Sequence, residues 1–176
     1  MSAQATTAEL ARLRKLGAMI PKGGTAVEIG SYSGCSAIEI AEGCRTAGNG
    51  AIIHCVDAWD LLRKDDQKPT KYTQAREWFD ANTAGYDCII PHRAMSTDDS
   101  FWDGTPIDLL YIDCVHTYDG VIGDWRVWGK YCVGIVAFHD YSPRFPEVVR
   151  AVDEIGIDKI GIDDSLWWGR LKLKSV

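Results

Sequence analysis

The feature that most constrains the fold of this chain is an alternation. Five short, β-branched apolar runs recur along it, Thr25 to Gly30, Ala51 to Asp57, Cys88 to His92, Ile107 to Asp113 and Gly134 to Asp140, with helical patterns between them. Strand-length runs interleaved with helices build βαβ units, which predicts an α/β fold with a parallel sheet covered on both faces. Ahead of the first run, Thr7 to Met19 places Leu10, Leu13, Leu16 and Met19 on one helical face, so a flank helix is expected to lie across the sheet. After the last run, Pro146 to Ile155 reads as a helix with Val148, Val149, Val152 and Ile155 inward. Lys159 to Ile162 and Leu166 to Leu173, joined by Asp163 and Asp164, read as a closing hairpin. At 176 residues, with 46% hydrophobic and 25% charged side chains and no linker or repeat, residues 1–176 are expected to form one domain: a flank helix over 1–20 and a core over 21–176.

Composition narrows the partners. The longest uncharged apolar run, Tyr131 to Phe138, is eight residues, far short of the roughly 20 that cross a bilayer. Glu9, Arg12, Arg14 and Lys15 interrupt the first twenty residues, so no secretory signal is expected and the expected location is cytoplasmic. A formal charge of −6 disfavours a nucleic-acid partner and leaves a small molecule as the default. Six cysteines without a C-x-x-C pair read as reduced thiols that pack as small hydrophobes.

Ligands of open α/β sheets bind outside the carboxyl ends of the strands. Here those ends carry Gly30, Asp57, His92 with Arg93, Asp113, and His139 with Asp140. The first strand runs into Glu28-Ile-Gly-Ser-Tyr-Ser-Gly-Cys-Ser36, an E-x-G-x-x-x-G loop that opens a helix. Gly30 permits a tight turn, and Gly34 lets the helix begin close to the strand with free N–H groups toward an anion. The spacing differs from the dinucleotide fingerprint G-x-G-x-x-G, and an acid beside a pyrophosphate would repel it. An acid beside a zwitterion would instead orient an ammonium, which favours the methionine tail of S-adenosylmethionine. Asp57 is placed to accept hydrogen bonds from ribose hydroxyls, and Ala94 and Met95 fall where an adenine would lie. Both also have plain structural readings, as a helix cap and as packing. A nicotinamide-dependent oxidoreductase is disfavoured by the glycine spacing and by the lack of a Tyr-x-x-x-Lys dyad; a non-catalytic cofactor-binding module remains an alternative.

With these residues in view, the sequence resembles the class I S-adenosylmethionine-dependent methyltransferases, in the group of macrocin O-methyltransferase and the cephalosporin-hydroxylase-like proteins. The resemblance rests on Val27 to Gly34, Asp57, the run Asp108 to Asp124 with its I-D-x-x-H-x-Y core, and Phe138-His-Asp-Tyr141. It covers roughly residues 20 to 155. It implies a Rossmann-like, doubly wound sheet of seven strands with an antiparallel last strand. It implies a cofactor amino-acid site at Glu28, Gly30, Ser31 and Gly34 and a ribose ligand at Asp57; Tyr32, Ser36 and Asp113, at the same strand ends, are further candidate cofactor contacts. In metal-dependent members the acid matching Asp113 and the pair matching His139 and Asp140 hold a divalent cation such as Mg²⁺, and the histidine matching His116 acts as base. This chain departs in having His-Asp where those members tend to have two acids.

Methyl transfer is an in-line displacement at an activated carbon, so the protein must align an acceptor oxygen and remove its proton. An imidazole of pKa about 6.5 suits the second task, which nominates His116, three residues beyond Asp113. Asp113, His139 and Asp140 either hold the cation or orient cofactor and loop. Trp59 is placed to flank the ligand, whereas Trp125 and Trp128, three apart, suit a core-facing helical stripe. The polar stretch Leu61 to Thr70 is a candidate lid. With so little chain left to wall an acceptor site, a small-molecule acceptor and a homo-oligomer are expected.

Overall fold

The computed structural model describes residues 5–59, 61 and 74–171. Its strands are β1 (Thr25–Ile29), β2 (Ile52–Asp57), β3 (Ile89–Arg93), β4 (Ile107–Ile112), β5 (Cys132–Phe138), β6 (Asp158–Asp163) and β7 (Leu166–Arg170). Its helices are α1 (Thr7–Ala18), α2 (Cys35–Ala47), α3 (Ala75–Thr83), α4 (Tyr118–Trp128) and α5 (Pro146–Ile155). The strands form one seven-stranded sheet in the order β3-β2-β1-β4-β5-β7-β6. β1 to β5 pair in parallel, and β7 runs antiparallel to both of its neighbours. Strand order reverses on either side of β1, which opens a crevice at the carboxyl ends of β1 and β4. The expected lid from Leu61 to Thr70 lies, Leu61 apart, outside the described residues, as does the end of the last apolar run.

Alternate strand residues serve two cores. Ala26, Ile53, Leu109 and Ala137 face Leu13, Ile40 and Phe79 of α1, α2 and α3. Val27, Leu110, Val136 and Phe138 face Val121, Trp128, Val148 and Val152 of α4 and α5. A central parallel strand covered on both faces has no solvent side, which is why all of β1 is buried and why the runs read as continuously apolar. Helix ends follow local chemistry: Thr6 and Glu9 make a capping box at α1, and α5 starts with Pro146 and stops at Gly156, whose φ is +71°. Trp128 is fully buried and Trp125 half-buried against Phe138, as the helical stripe predicts. All six cysteines are free thiols. Among the described residues no helix is long and apolar enough to cross a membrane.

The flank helix needs a correction. α1 packs chiefly on α2 rather than across the sheet, and Met19, expected inward, is 47% exposed. Two glycines cause this. A Cβ on Gly43 would sit 1.9 Å from the Arg14 carbonyl oxygen, and one on Gly17 would sit 2.2 Å from that of Ile40, so the helices cross at backbone contact. The Asn49 amide then donates to the carbonyls of Gly17 and Ile20, both at 3.0 Å, and closes the end of α1.

On the opposite face, His54 Nδ1 and His92 Nε2 meet at 2.8 Å, with His92 stacked on Phe101 and His54 edge-on to Trp102. Only one proton fits between two facing ring nitrogens, so one ring donates and the other accepts. Burial, and then His92, push His54 down to about 4, and burial lowers His92.

Replacing Gly43 with Ala should therefore destabilise the protein by about 1–3 kcal/mol, although the same change in an open helix would stabilise it. Urea unfolding checks this. The histidine pair gives a pH dependence: between about pH 6.5 and 4 the unfolded chain binds a proton that folded His54 refuses, so this contribution to stability falls as pH falls. The unfolding midpoint of His54→Gln should drop less steeply than that of the parent from pH 7 to pH 5; parallel slopes would refute it.

Candidate active site

A cavity of about 440 Å³ opens at the carboxyl ends of β1, β2 and β4. Its wall includes Gly30, Ser31, Tyr32, Ser33 and Ser36 from the loop after β1, Asp57, Ala58 and Trp59 after β2, and Asp113 to His116 after β4. Ala5 and Ala75 complete it. Gly30 has φ of +92°, and a Cβ there would lie 2.0 Å from the Asp113 carbonyl oxygen, so only glycine lets the loop leave β1 against the end of β4. Gly34, φ +82°, caps α2 without a side chain, leaving the helix amides to a ligand.

Asp57 joins the two loops. Its Oδ2 accepts from the Tyr32 amide at 2.8 Å and its Oδ1 from the Trp59 amide at 2.6 Å. The Trp59 indole donates to the Tyr32 carbonyl at 2.8 Å, and its ring packs on Phe79 with the Arg76 guanidinium over it. Tyr32 and Trp59 both hold left-handed backbone, φ +46° and +39°. Such conformations persist where surroundings over-determine them, as these bonds do. Burial raises the Asp57 carboxyl, opposed by the Trp59 and Tyr32 amides. Each carboxylate oxygen keeps further lone-pair capacity toward the cavity.

Not every expected cofactor residue reaches the cavity. Glu28 is fully buried and is not in the wall; its Oε2 receives the Cys55 thiol at 3.5 Å. Burial pushes its carboxyl up to about 7, against the nearby Ser36 and Ser31 hydroxyls. Its Oε1 and Ser31 Oγ are buried without a hydrogen-bond partner among the described residues. The acids that do line the cavity are Asp57 and Asp113. Gly34, Ala94 and Met95 are also absent from its wall. The Ala94 amide continues the β2–β3 pairing by donating to the Asp57 carbonyl at 3.1 Å; the alternation turns its side chain into the core and leaves Met95 43% exposed.

Beside the cavity the ends of β4 and β5 bring acids and histidines together. His116 Nε2 lies 2.7 Å from Asp140 Oδ2 and 4.0 Å from Asp113 Oδ1. His139 Nδ1 lies 3.2 Å from the same Asp140 oxygen and 3.4 Å from Asp113 Oδ1. Asp113 and Asp140 raise the pKa of His116. Burial alone would lower that of His139, but Asp140, Asp113 and Glu9 outweigh it and bring it to about 9. Asp140 has φ of +58°, which aims its carboxylate between the two rings. Asp113, His139 and Asp140 each offer one ligand atom, all within 4.8 Å of one another, and His139 Nδ1 is buried without a hydrogen bond among the described residues. Two carboxylates and an imidazole fit a divalent first-row cation. Sequence reasoning missed Glu9 here. It is 1% exposed with Oε2 3.2 Å from His139 Nε2, and its only signal, Thr6-x-x-Glu9, marks a helix start.

Comparison with known proteins places this geometry. A family model described as a methyltransferase domain matches residues 27–141, from β1 through the segment just after β5. The chain belongs to this methyltransferase family. Its methyl donor is S-adenosylmethionine. No curated protein matches the sequence. Among solved structures, the O-methyltransferase NovP superposes with a TM-score of 0.67 at 18% identity, covering 92% of this chain and 78% of that one. CalS11, a TDP-rhamnose 3'-O-methyltransferase of calicheamicin biosynthesis, gives 0.66 at 16% identity, over 92% and 76%. An O-methyltransferase from Bacillus cereus in complex with SAH gives 0.67 at 12% identity, over 98% and 84%. At these identities the likeness is one of fold.

Removing the Asp57 carboxylate from this methyltransferase frees two wall loops and any ribose contact together. Asp57→Ala should weaken binding of S-adenosylhomocysteine by about 10- to 100-fold, or about 1.4–2.8 kcal/mol, in calorimetric titration.

Proposed function

We propose that the methyltransferase acts on a hydroxyl of a small molecule, such as a sugar, glycoside or phenol, with His116 as general base. The observation that carries this reading is His116 in the cavity wall, 43% exposed, with Nε2 against Asp140. A hydrogen on Nε2 directed at that carboxylate leaves Nδ1 as the basic nitrogen. The Phe145 ring, 4.8 Å from the imidazole, supports it from the side. The names of NovP and CalS11 as O-methyltransferases support an oxygen acceptor.

The steps follow from these positions. The Gly30 to Ser36 loop and Asp57 are the residues that would hold the cofactor, beside Asp113. The acceptor oxygen attacks the methyl carbon in line, the carbon–sulfur bond breaks, and its electron pair stays on sulfur to leave neutral S-adenosylhomocysteine. His116 Nδ1 takes the hydroxyl proton, and Asp140 with Asp113 stabilises the imidazolium that results. Asp113, His139 and Asp140 are the residues that would hold a divalent cation, Mg²⁺ or Mn²⁺, whose chemistry when bound is to polarise the acceptor hydroxyl.

The test is release of S-adenosylhomocysteine across a panel of phenols, sugars and amines. Turnover confined to amines would refute the oxygen acceptor. With an acceptor found, His116→Ala should lower kcat about 10²- to 10⁴-fold with cofactor affinity unchanged. Loss of turnover in EDTA, restored by Mn²⁺ or Mg²⁺, is the expected result for the cation.

A further inference from the structure

Glu9 sits in the first turn of α1, more than a hundred residues from the strand ends that form the cluster, and it is almost completely buried. Both of its oxygens are used. Oε1 accepts from the Ser165 amide at 2.9 Å and from the Ser165 hydroxyl at 2.6 Å, while Oε2 accepts from the Thr6 amide at 2.7 Å and faces His139 Nε2 at 3.2 Å. An ionised carboxylate only accepts, so the ring nitrogen opposite it must carry a hydrogen. A ring whose one nitrogen is held by a carboxylate has its orientation set, and presents the other nitrogen in a fixed direction. Here the other nitrogen is Nδ1, buried where Asp113 Oδ1 and Asp140 Oδ2 converge at 3.4 and 3.2 Å.

We propose that Glu9 is a positioning residue of the cleft: its carboxylate accepts a hydrogen bond from Nε2–H of His139 and thereby turns Nδ1 to the meeting point of Asp113 and Asp140. The N-terminal helix then completes the site that β4 and β5 begin. Two further polar links hold that helix to the β6–β7 turn and keep Glu9 in register. The Thr6 hydroxyl donates to Asp164 Oδ2 at 2.6 Å, and the Arg12 guanidinium spans both oxygens of Asp163 at 2.7 and 3.2 Å. Asp140, which His139 faces on one side and His116 on the other, transmits the arrangement to the base. The proposal rests on the methyl-transfer reading only for the chemistry it assigns to His116.

The experiment is nitrogen-15 NMR of the histidine rings in the full-length chain, with and without S-adenosylhomocysteine. The parent protein should show His139 with a hydrogen on Nε2. In Glu9→Gln the side-chain oxygen stays with Ser165 and the amide nitrogen turns toward the ring, so a donor replaces the acceptor and the Nε2 hydrogen signal should be lost. Ser165→Ala loosens the same helix without touching His139 and should leave the ring pattern intact. An unprotonated Nε2 in the parent protein overturns the proposal by itself, even if Glu9→Gln does not fold. So does an unchanged ring in Glu9→Gln, or an equal change in Ser165→Ala, which would make Glu9 a helix anchor only. The readout uses no acceptor, so failure of the methyl-transfer reading would appear separately, as loss of cofactor binding in the parent protein.

Discussion

The carboxyl ends of β1 and β4 meet at a backbone contact that only glycine allows, and the cleft depends on it. The Asp113 amide donates to the Ile29 carbonyl at 2.8 Å, the Gly30 amide donates to Val56 at 2.8 Å, and the Gly30 Cα then faces the Asp113 carbonyl with no room for a Cβ. A parallel sheet whose order reverses at β1 leaves a gap at this point, because the loops after β1 and β4 turn to opposite faces. The glycine loop after β1 and the acid–histidine cluster are thus neighbours by construction. Asp113 belongs to both: it lines the cavity and faces His116 and His139.

The cluster is first an electrostatic arrangement. Glu9, Asp113 and Asp140 crowd around His139, and three carboxylates in a partly buried space would repel one another without a cation between them. The environment that raises His139 supplies one, and Glu9 stays ionised because the Ser165 and Thr6 donors outweigh its burial. Glu28 shows the opposite outcome a few residues from the same cleft. With no cation in contact, its burial dominates and its carboxyl moves up to about 7. Two buried acids thus acquire different character from their partners.

Much of the architecture was legible because it is written in local pattern. The five apolar runs became β1 to β5 within two residues at each end, since a strand buried on both faces needs continuous apolar side chains. The closing hairpin and α5 were legible too, from Asp163–Asp164, where β6 gives way to a turn at Asp164 and Ser165, and from Pro146 ahead of Gly156. Gly30, Asp57 and Trp59 do line the cleft, because strand ends can be read from the same runs. Side-chain direction beyond a strand end was not legible. Ala94 and Met95 follow β3 as expected, but one extra ladder hydrogen bond turns Ala94 into the core.

What the sequence determined by itself was the wiring: a doubly wound sheet, a glycine turn after its first strand, and acids and histidines at the carboxyl ends of β4 and β5. These follow from periodicity and from residues whose backbone requirements are their own. Tertiary structure alone decided which groups touch. α1 settles on α2 because Gly17 and Gly43 let their backbones meet, and that docking carries Glu9 to His139, across 130 positions of sequence. No local pattern encodes such a pair, since contact between distant residues is set by how close two packed surfaces can come.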